Sequence, residues 1–221
     1  MIFRQLFHAE TGTYTYLLAC GQTSDSILID PVLDNLETYL QLLRQLKLTL
    51  AAALDTHVHA DHITALGALR DNTGCASMMG EPARASCASR TFRDGEQINF
   101  GGLALKAVYT PGHTDDSYCF LLPAGADDTI DENWLFTGDT LLIRGSGRTD
   151  FQNGSARDQY RSIFNKLLTL PENTRIYPAH DYKGWTMSTI AEERAYNPRL
   201  QVADEQDYVE LMGSLKLDHP K

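Results

Sequence analysis

Thr56-His57-Val58-His59-Ala60-Asp61-His62 is the stretch on which the fold turns. It holds four potential metal ligands within six residues. Before it, Leu50 to Leu54 is a short apolar run that reads as a buried strand ending at Asp55. After it, the pattern predicts a helix through Leu69, with Asp61 as its cap and a stop near Gly74. In extended chain His57 and His59 point to the same side, because side-chain direction repeats every two residues. Where the chain turns into the helix, Asp61 and His62 project into the same cavity from another direction. Unpaired polar groups are costly in a core, so this clustering points to a metal rather than to packing.

Three downstream strings carry the same logic. Thr110-Pro111-Gly112-His113-Thr114 places a histidine in a Gly/Pro turn after a strand. Thr137-Gly138-Asp139-Thr140 places a carboxylate at the end of Trp134-Leu135-Phe136, and Tyr177-Pro178-Ala179-His180-Asp181 places another histidine after a strand. Singly, the glycines read as turn formers and Asp139 as a cap. Together, each string sets one ligand on a loop beyond a strand end, and loops held by a rigid scaffold are where such sites are built.

Around these strings, the first thirty residues read as strands, with Tyr14, Tyr16 and Leu18 alternating with Thr13, Thr15 and Leu17. Asn35 to Leu48 reads as an amphipathic helix. Further strands are expected at Gln97–Phe100, Leu103–Tyr109, Ser117–Leu122, Trp134–Thr137 and Arg175–Tyr177, with helices at Arg157–Leu168, Met187–Tyr196 and Glu205–Leu215. Two sheets covered by helices make an α+β fold, expected as a single domain over residues 1–221 with a short helical tail from about 185.

Composition excludes several classes. Nineteen Lys and Arg against twenty-nine Asp and Glu leave 221 residues with a net charge of −10, a poor start for binding nucleic acid or an anionic membrane. No apolar run is long enough to span a bilayer. The N-terminal stretch, broken by Arg4, Gln5, His8 and Glu10, reads as neither signal nor transit peptide, and the expected compartment is the cytoplasm. Cys20, Cys75, Cys87 and Cys119 form no CxxC pair and read as buried thiols in a reducing compartment.

His57-x-His59-x-Asp61-His62 followed by His113, Asp139 and His180 resembles the metallo-β-lactamase superfamily, whose fold is an αββα four-layer sandwich with its metal site at the sheet edges. Within it, the run Gly138 to Gln152, the string Tyr177 to Tyr182, and Glu192-Glu193-Arg194 with Asn197-Pro198-Arg199 resemble the persulfide dioxygenase family. That resemblance implies an Fe(II) oxidoreductase of sulfur metabolism, one iron per chain, which uses O₂ to oxidise glutathione persulfide to sulfite and glutathione. It points to a homodimer. The implied iron ligands are His57, His113 and Asp139, a two-histidine, one-carboxylate facial triad that leaves positions open for substrate and O₂. His59, Asp61, His62 and His180 then orient ligands or form a vacant second metal site. Some relatives carry Cys where this chain has Ser146 and Ser155.

Arg148 is the expected substrate-binding residue. The segment from Arg144 to Arg161 has a local surplus of two positive charges in an acidic chain, and a guanidinium grips a carboxylate of glutathione in a fork. Arg157 and Arg161 read instead as a solvated helix face. Tyr182 is the second substrate-binding candidate.

A competing reading is a binuclear zinc hydrolase of glutathione thioesters, similar to glyoxalase II. His57, His59, His113 and Asp139 would hold one zinc, and Asp61, His62, Asp139 and His180 the other. The 41 residues after His180, fewer than the helical domain typical of glyoxalase II, and the loop Leu141 to Arg144 argue against it. A third reading, a metal-holding sensor, predicts no O₂ uptake with any thiol.

Overall fold

A computed structural model describes residues 1–86 and 88–216. Cys87 and the last five residues of the expected tail lie outside this range. One six-stranded sheet runs in spatial order through β1 (Ile2–His8), β2 (Thr13–Ala19), β3 (Asp25–Ile29), β4 (Thr49–Leu54), β5 (Ala76–Gly80) and β6 (Arg90–Phe92). The other contains β7 (Gln97–Phe100), β8 (Leu103–Tyr109), β9 (Tyr118–Leu122), β10 (Trp134–Gly138), β11 (Arg175–Pro178) and β12 (Ser188–Thr189). Both are mixed: β3 to β6 pair in parallel and so do β10 and β11, while the other neighbours are antiparallel.

The alternation along β2 explains the layering. Tyr14, Tyr16 and Leu18 face Phe120, Phe136 and Tyr177 across the space between the sheets. Leu17 points the other way, toward Tyr39, Leu40 and Leu43 of α1 (Leu36–Leu46) and Leu66 and Leu69 of α2 (Leu66–Thr73). On the far side Leu135 and Ile176 pack against Ile163 of α3 (Ala156–Asn165), Ile190 of α4 (Ile190–Tyr196), and Tyr208 and Met212 of α5 (Glu205–Ser214). With both faces covered, every residue of β2 and β10 is buried. Each large apolar side chain so buried contributes about 1.5–3 kcal/mol. The result is the expected αββα sandwich.

Several expected boundaries change. Asp61 does not cap a helix; α2 starts at Leu66 without a side-chain cap. The reason is competition, because the Asp61 carboxylate is taken by His62 at 3.0 Å and by His180 at 3.0 Å. Gly74 does end α2, in the left-handed conformation with φ +75°. The helix expected from Met187 starts at Ile190, because Ser188 and Thr189 pair with β11 and the Thr189 hydroxyl caps the Glu192 amide. The helix expected to run through Leu168 stops at Asn165. β5 and β6, five and three residues long, were not expected. Cys20, Cys75 and Cys119 are free and buried.

Candidate metal centre

The four ligand-bearing loops follow β4, β8, β10 and β11, so their residues meet at one edge of the sandwich. Two donor sets form there. His57, His113 and Asp139 each offer an atom within 4.8 Å of the others, and so do His59, Asp61, His62 and His180.

The first set is fixed by its hydrogen bonds. The Thr56 hydroxyl lies 3.0 Å from both Asp30 carboxylate oxygens and 2.9 Å from His57 Nδ1. Asp30 takes its only hydrogen, so His57 Nδ1 is the donor in the third contact, and the Nε2 lone pair is left for a metal. His113 Nδ1 donates to the Arg148 carbonyl at 2.8 Å. Its Nε2 sits 3.6 Å from Asp139 Oδ2. Burial, with His59 and His113 close by, holds the His57 imidazole well below its ordinary pKa and therefore neutral. Neutral imidazoles and an ionised carboxylate are the protonation states a metal needs.

His180 is held at both nitrogens. Nδ1 lies 2.7 Å from Asp139 Oδ1 and Nε2 lies 3.0 Å from Asp61 Oδ2. Burial disfavours its charge, but the charge and hydrogen bond of Asp139 and those of Asp61 prevail and lift it to about 10. His59 shows the same contest: burial lowers it, while Asp30 and Asp55 raise it to about 9. His59 Nδ1 and His62 Nε2 are buried without a hydrogen-bond partner. Buried polar atoms are rarely left unpaired, so these two orphans fit a cation beside Asp61. The donor chemistry of the first set thus fits a metal, whereas a metal in the second would have to displace the protons of His59 and His180.

The scan of protein families matches residues 9–180 to the metallo-beta-lactamase superfamily. The human protein named persulfide dioxygenase ETHE1, mitochondrial, is 44% identical over all of this chain and 84% of its own length. The crystal structure of ETHE1 from Myxococcus xanthus is 47% identical, with a TM-score of 0.93 over all of this chain and 93% of that one. The chain belongs to the persulfide dioxygenase family of the metallo-beta-lactamase superfamily. A more distant relative in the superfamily, TTHA1623, was solved in a di-iron-bound form; it is 26% identical with a TM-score of 0.70, over 88% of this chain and 98% of that one.

The expected substrate residues fall differently. Arg148 grips Asp150 in a fork, at 2.7 and 2.9 Å. Arg144 pairs with Glu192 and Glu193, and Arg157 and Arg161 both pair with Glu205. The local surplus of positive charge is therefore largely matched by acids, three of them brought from α4 and α5. Tyr182 is 75% exposed and lies parallel to the His180 ring at a centroid distance of 6.2 Å.

Asp30, Thr56, Asp116, Thr13 and Gly147 were not singled out from sequence. Asp30 adopts φ +51° at the end of β3 and accepts from the Thr56 amide at 2.7 Å, the Thr56 hydroxyl and His59 Nε2 at 3.2 Å. Asp116 accepts from the Val58 amide at 2.9 Å. Asp30 carried a usable signal, a carboxylate directly after a buried strand, the same pattern that marks Asp139. Gly147 carried none: only the folded chain shows that a Cβ there would lie 2.5 Å from the Asp139 carbonyl oxygen and 2.6 Å from His113 Nδ1.

Proposed function

We propose that the chain is an iron(II) persulfide dioxygenase that converts glutathione persulfide, O₂ and water to glutathione, sulfite and two protons. The observation that carries this reading is the 44% identity to a curated persulfide dioxygenase over the whole chain, joined to the convergence of His57, His113 and Asp139. These three residues hold the iron, one per chain. When bound, iron(II) would supply redox chemistry toward O₂ that zinc cannot, with coordination positions left open by a three-ligand set.

The protein's own work is orientation and charge. Asp30, through Thr56, and the Arg148 carbonyl fix the two imidazoles so that each presents Nε2. His180 holds Asp139 Oδ1, leaving Oδ2 toward His113. Arg148 takes a carboxylate of glutathione in exchange for Asp150, and Tyr182 flanks the entrance. The free, buried cysteines fit a reducing compartment such as the cytoplasm. Among the described residues no helix is long and apolar enough to cross a membrane.

The deciding experiment combines metal analysis of protein purified without added metal with an O₂ electrode. About one iron per chain and O₂ uptake that depends on glutathione persulfide are expected. Zinc-dependent thioester hydrolysis without O₂ uptake would refute the reading in favour of the hydrolase.

A further inference from the structure

A short segment ties the expected substrate arginine to both sides of the metal edge. Arg148 works in two directions. Its carbonyl accepts from His113 Nδ1 at 2.8 Å, and its guanidinium holds the Asp150 carboxylate through two contacts, at 2.7 and 2.9 Å. The Asp150 side chain is 59% exposed and that of Arg148 22%. An ion pair so open to water is weak, and its acid can swing out into solvent without burying its charge.

Asp150 opens a strap across the edge where the ligands meet. The Gly154 amide donates to the Phe151 carbonyl at 2.8 Å, which makes Gln152 and Asn153 the centre of a tight turn. Both adopt left-handed backbone, at φ +47° and +58°. That conformation is costly for residues other than glycine and persists where other contacts hold it. Here Gln152 Nε2 donates to the Val58 carbonyl at 2.9 Å, and Asn153 Nδ2 donates to Asp115 Oδ2 at 3.3 Å. Val58 stands between His57 and His59, so the strap joins the loop after β10 to the loop after β4. Its far foot rests on the loop after β8. The Ser155 amide donates to the Gly112 carbonyl at 2.8 Å, and a Cβ at Gly154 would lie 2.8 Å from the His113 carbonyl oxygen.

We propose that Asp150 sets the substrate specificity of this site: it holds the place of a substrate carboxylate on Arg148 and fastens the strap Asp150–Asn153 across the metal edge. The proposal rests on the dioxygenase reading, with Arg148 as the carboxylate site. A persulfide that carries a carboxylate exchanges like for like. The guanidinium keeps a two-pronged partner, Asp150 moves into water, and the strap loses one of its fastenings. A persulfide without an acidic group has nothing to offer Arg148, so the Asp150 pair and the strap stay in place against it. Such a device rejects the wrong substrate rather than gripping the right one more tightly. It also weakens the right one a little, because only the fraction of chains with Asp150 displaced can take the substrate carboxylate.

The test compares two substrates on the full-length iron enzyme: glutathione persulfide, and the same persulfide with both carboxyl groups esterified. In Asp150→Asn, KM for glutathione persulfide should fall about threefold, the size of an exposed ion pair. The kcat/KM of the diester should rise about tenfold, so the preference between the two narrows. Gln152→Ala leaves the Arg148–Asp150 pair and cuts the strap from Val58. It should raise kcat/KM for the diester while KM for glutathione persulfide stays at the parent value. A KM that rises in Asp150→Asn would mean that Asp150 only orients Arg148, and would overturn the exchange. A diester rate that stays at the parent level in both variants would overturn the role in specificity. Calorimetric titration of glutathione into the zinc-loaded chain reads the exchange without turnover, with Kd about threefold lower in Asp150→Asn. An unchanged or higher Kd there counts against the proposal. A parent enzyme without persulfide-dependent O₂ uptake would overturn the dioxygenase reading instead, and the titration would still decide whether Asp150 competes for Arg148.

Discussion

At Gly147 the centre is constrained by the absence of a side chain. Gly147 crosses within van der Waals distance of both His113 and the Asp139 backbone, and its amide donates to the Asp139 carbonyl at 2.7 Å. A methyl group there has to displace a ligand ring or backbone, a strain of about 1–3 kcal/mol. Gly147→Ala should therefore lower iron occupancy more than it lowers melting temperature. Parent-like iron content by metal analysis would show that the loop yields without disturbing the ligands. Arg148 makes a second residue-level prediction. Its fork geometry cannot be copied by an ammonium, so Arg148→Lys and Arg148→Ala should both raise KM for glutathione persulfide, by about tenfold, with iron content unchanged. An unchanged KM in steady-state kinetics would leave Arg148 only its backbone role at His113. All seven histidine and carboxylate positions of the two donor sets were readable from their crowding in short strings. Their partners were not. Asp30 lies 27 residues before His57, and only folding reveals which hydroxyl it controls.

At the scale of elements, the loop between β10 and α3 is fastened to α4 by Arg144. Its amide donates to Glu193 Oε2 at 2.8 Å, its guanidinium pairs with Glu193 and, at 2.9 Å, with Glu192, and Trp185 and Tyr196 lie against it. Asn197 adds a bond to the Gly145 carbonyl at 2.9 Å and one to Glu193 at 2.8 Å. Glu193 is fully buried, so removing its cation strands a charge. Arg144→Ala should cost about 3–5 kcal/mol in urea unfolding, and adding Glu193→Gln to it should recover part of that loss. Full additivity of the two changes would refute the coupling. Sequence alone suggested that Arg144 added positive charge for substrate. Its partners lie 48 and 49 positions on, in an element whose packing no local pattern announces. The long alternating strands and amphipathic helices were legible because both periods were strong. β5 and β6 were missed because five and three residues give little pattern to read.

At the scale of the whole molecule, the centre joins the two sheets. His57 comes from the sheet of β1 to β6, whereas His113 and Asp139 come from the other. The Thr56 carbonyl accepts from the Tyr118 amide at 2.8 Å across the same seam, and Asp116 reaches back to Val58. A metal bound by both sheets binds the native chain and not the unfolded one, so it adds stability in proportion to the logarithm of its concentration over Kd. At a metal concentration a thousand times Kd this is about 4 kcal/mol, or roughly 10 °C in melting temperature at about 2–4 °C per kcal/mol for a chain of this length. Chelation should therefore lower Tm by about that amount. Zinc and iron(II) should each restore it, because imidazole and carboxylate suit both ions. O₂ uptake should return with iron alone, since zinc has no redox chemistry. Calorimetry and the O₂ electrode on the same samples separate the two roles. If chelation leaves Tm unchanged, the hydrogen bonds across the seam hold the sheets together without the metal, and the centre's contribution is to chemistry alone.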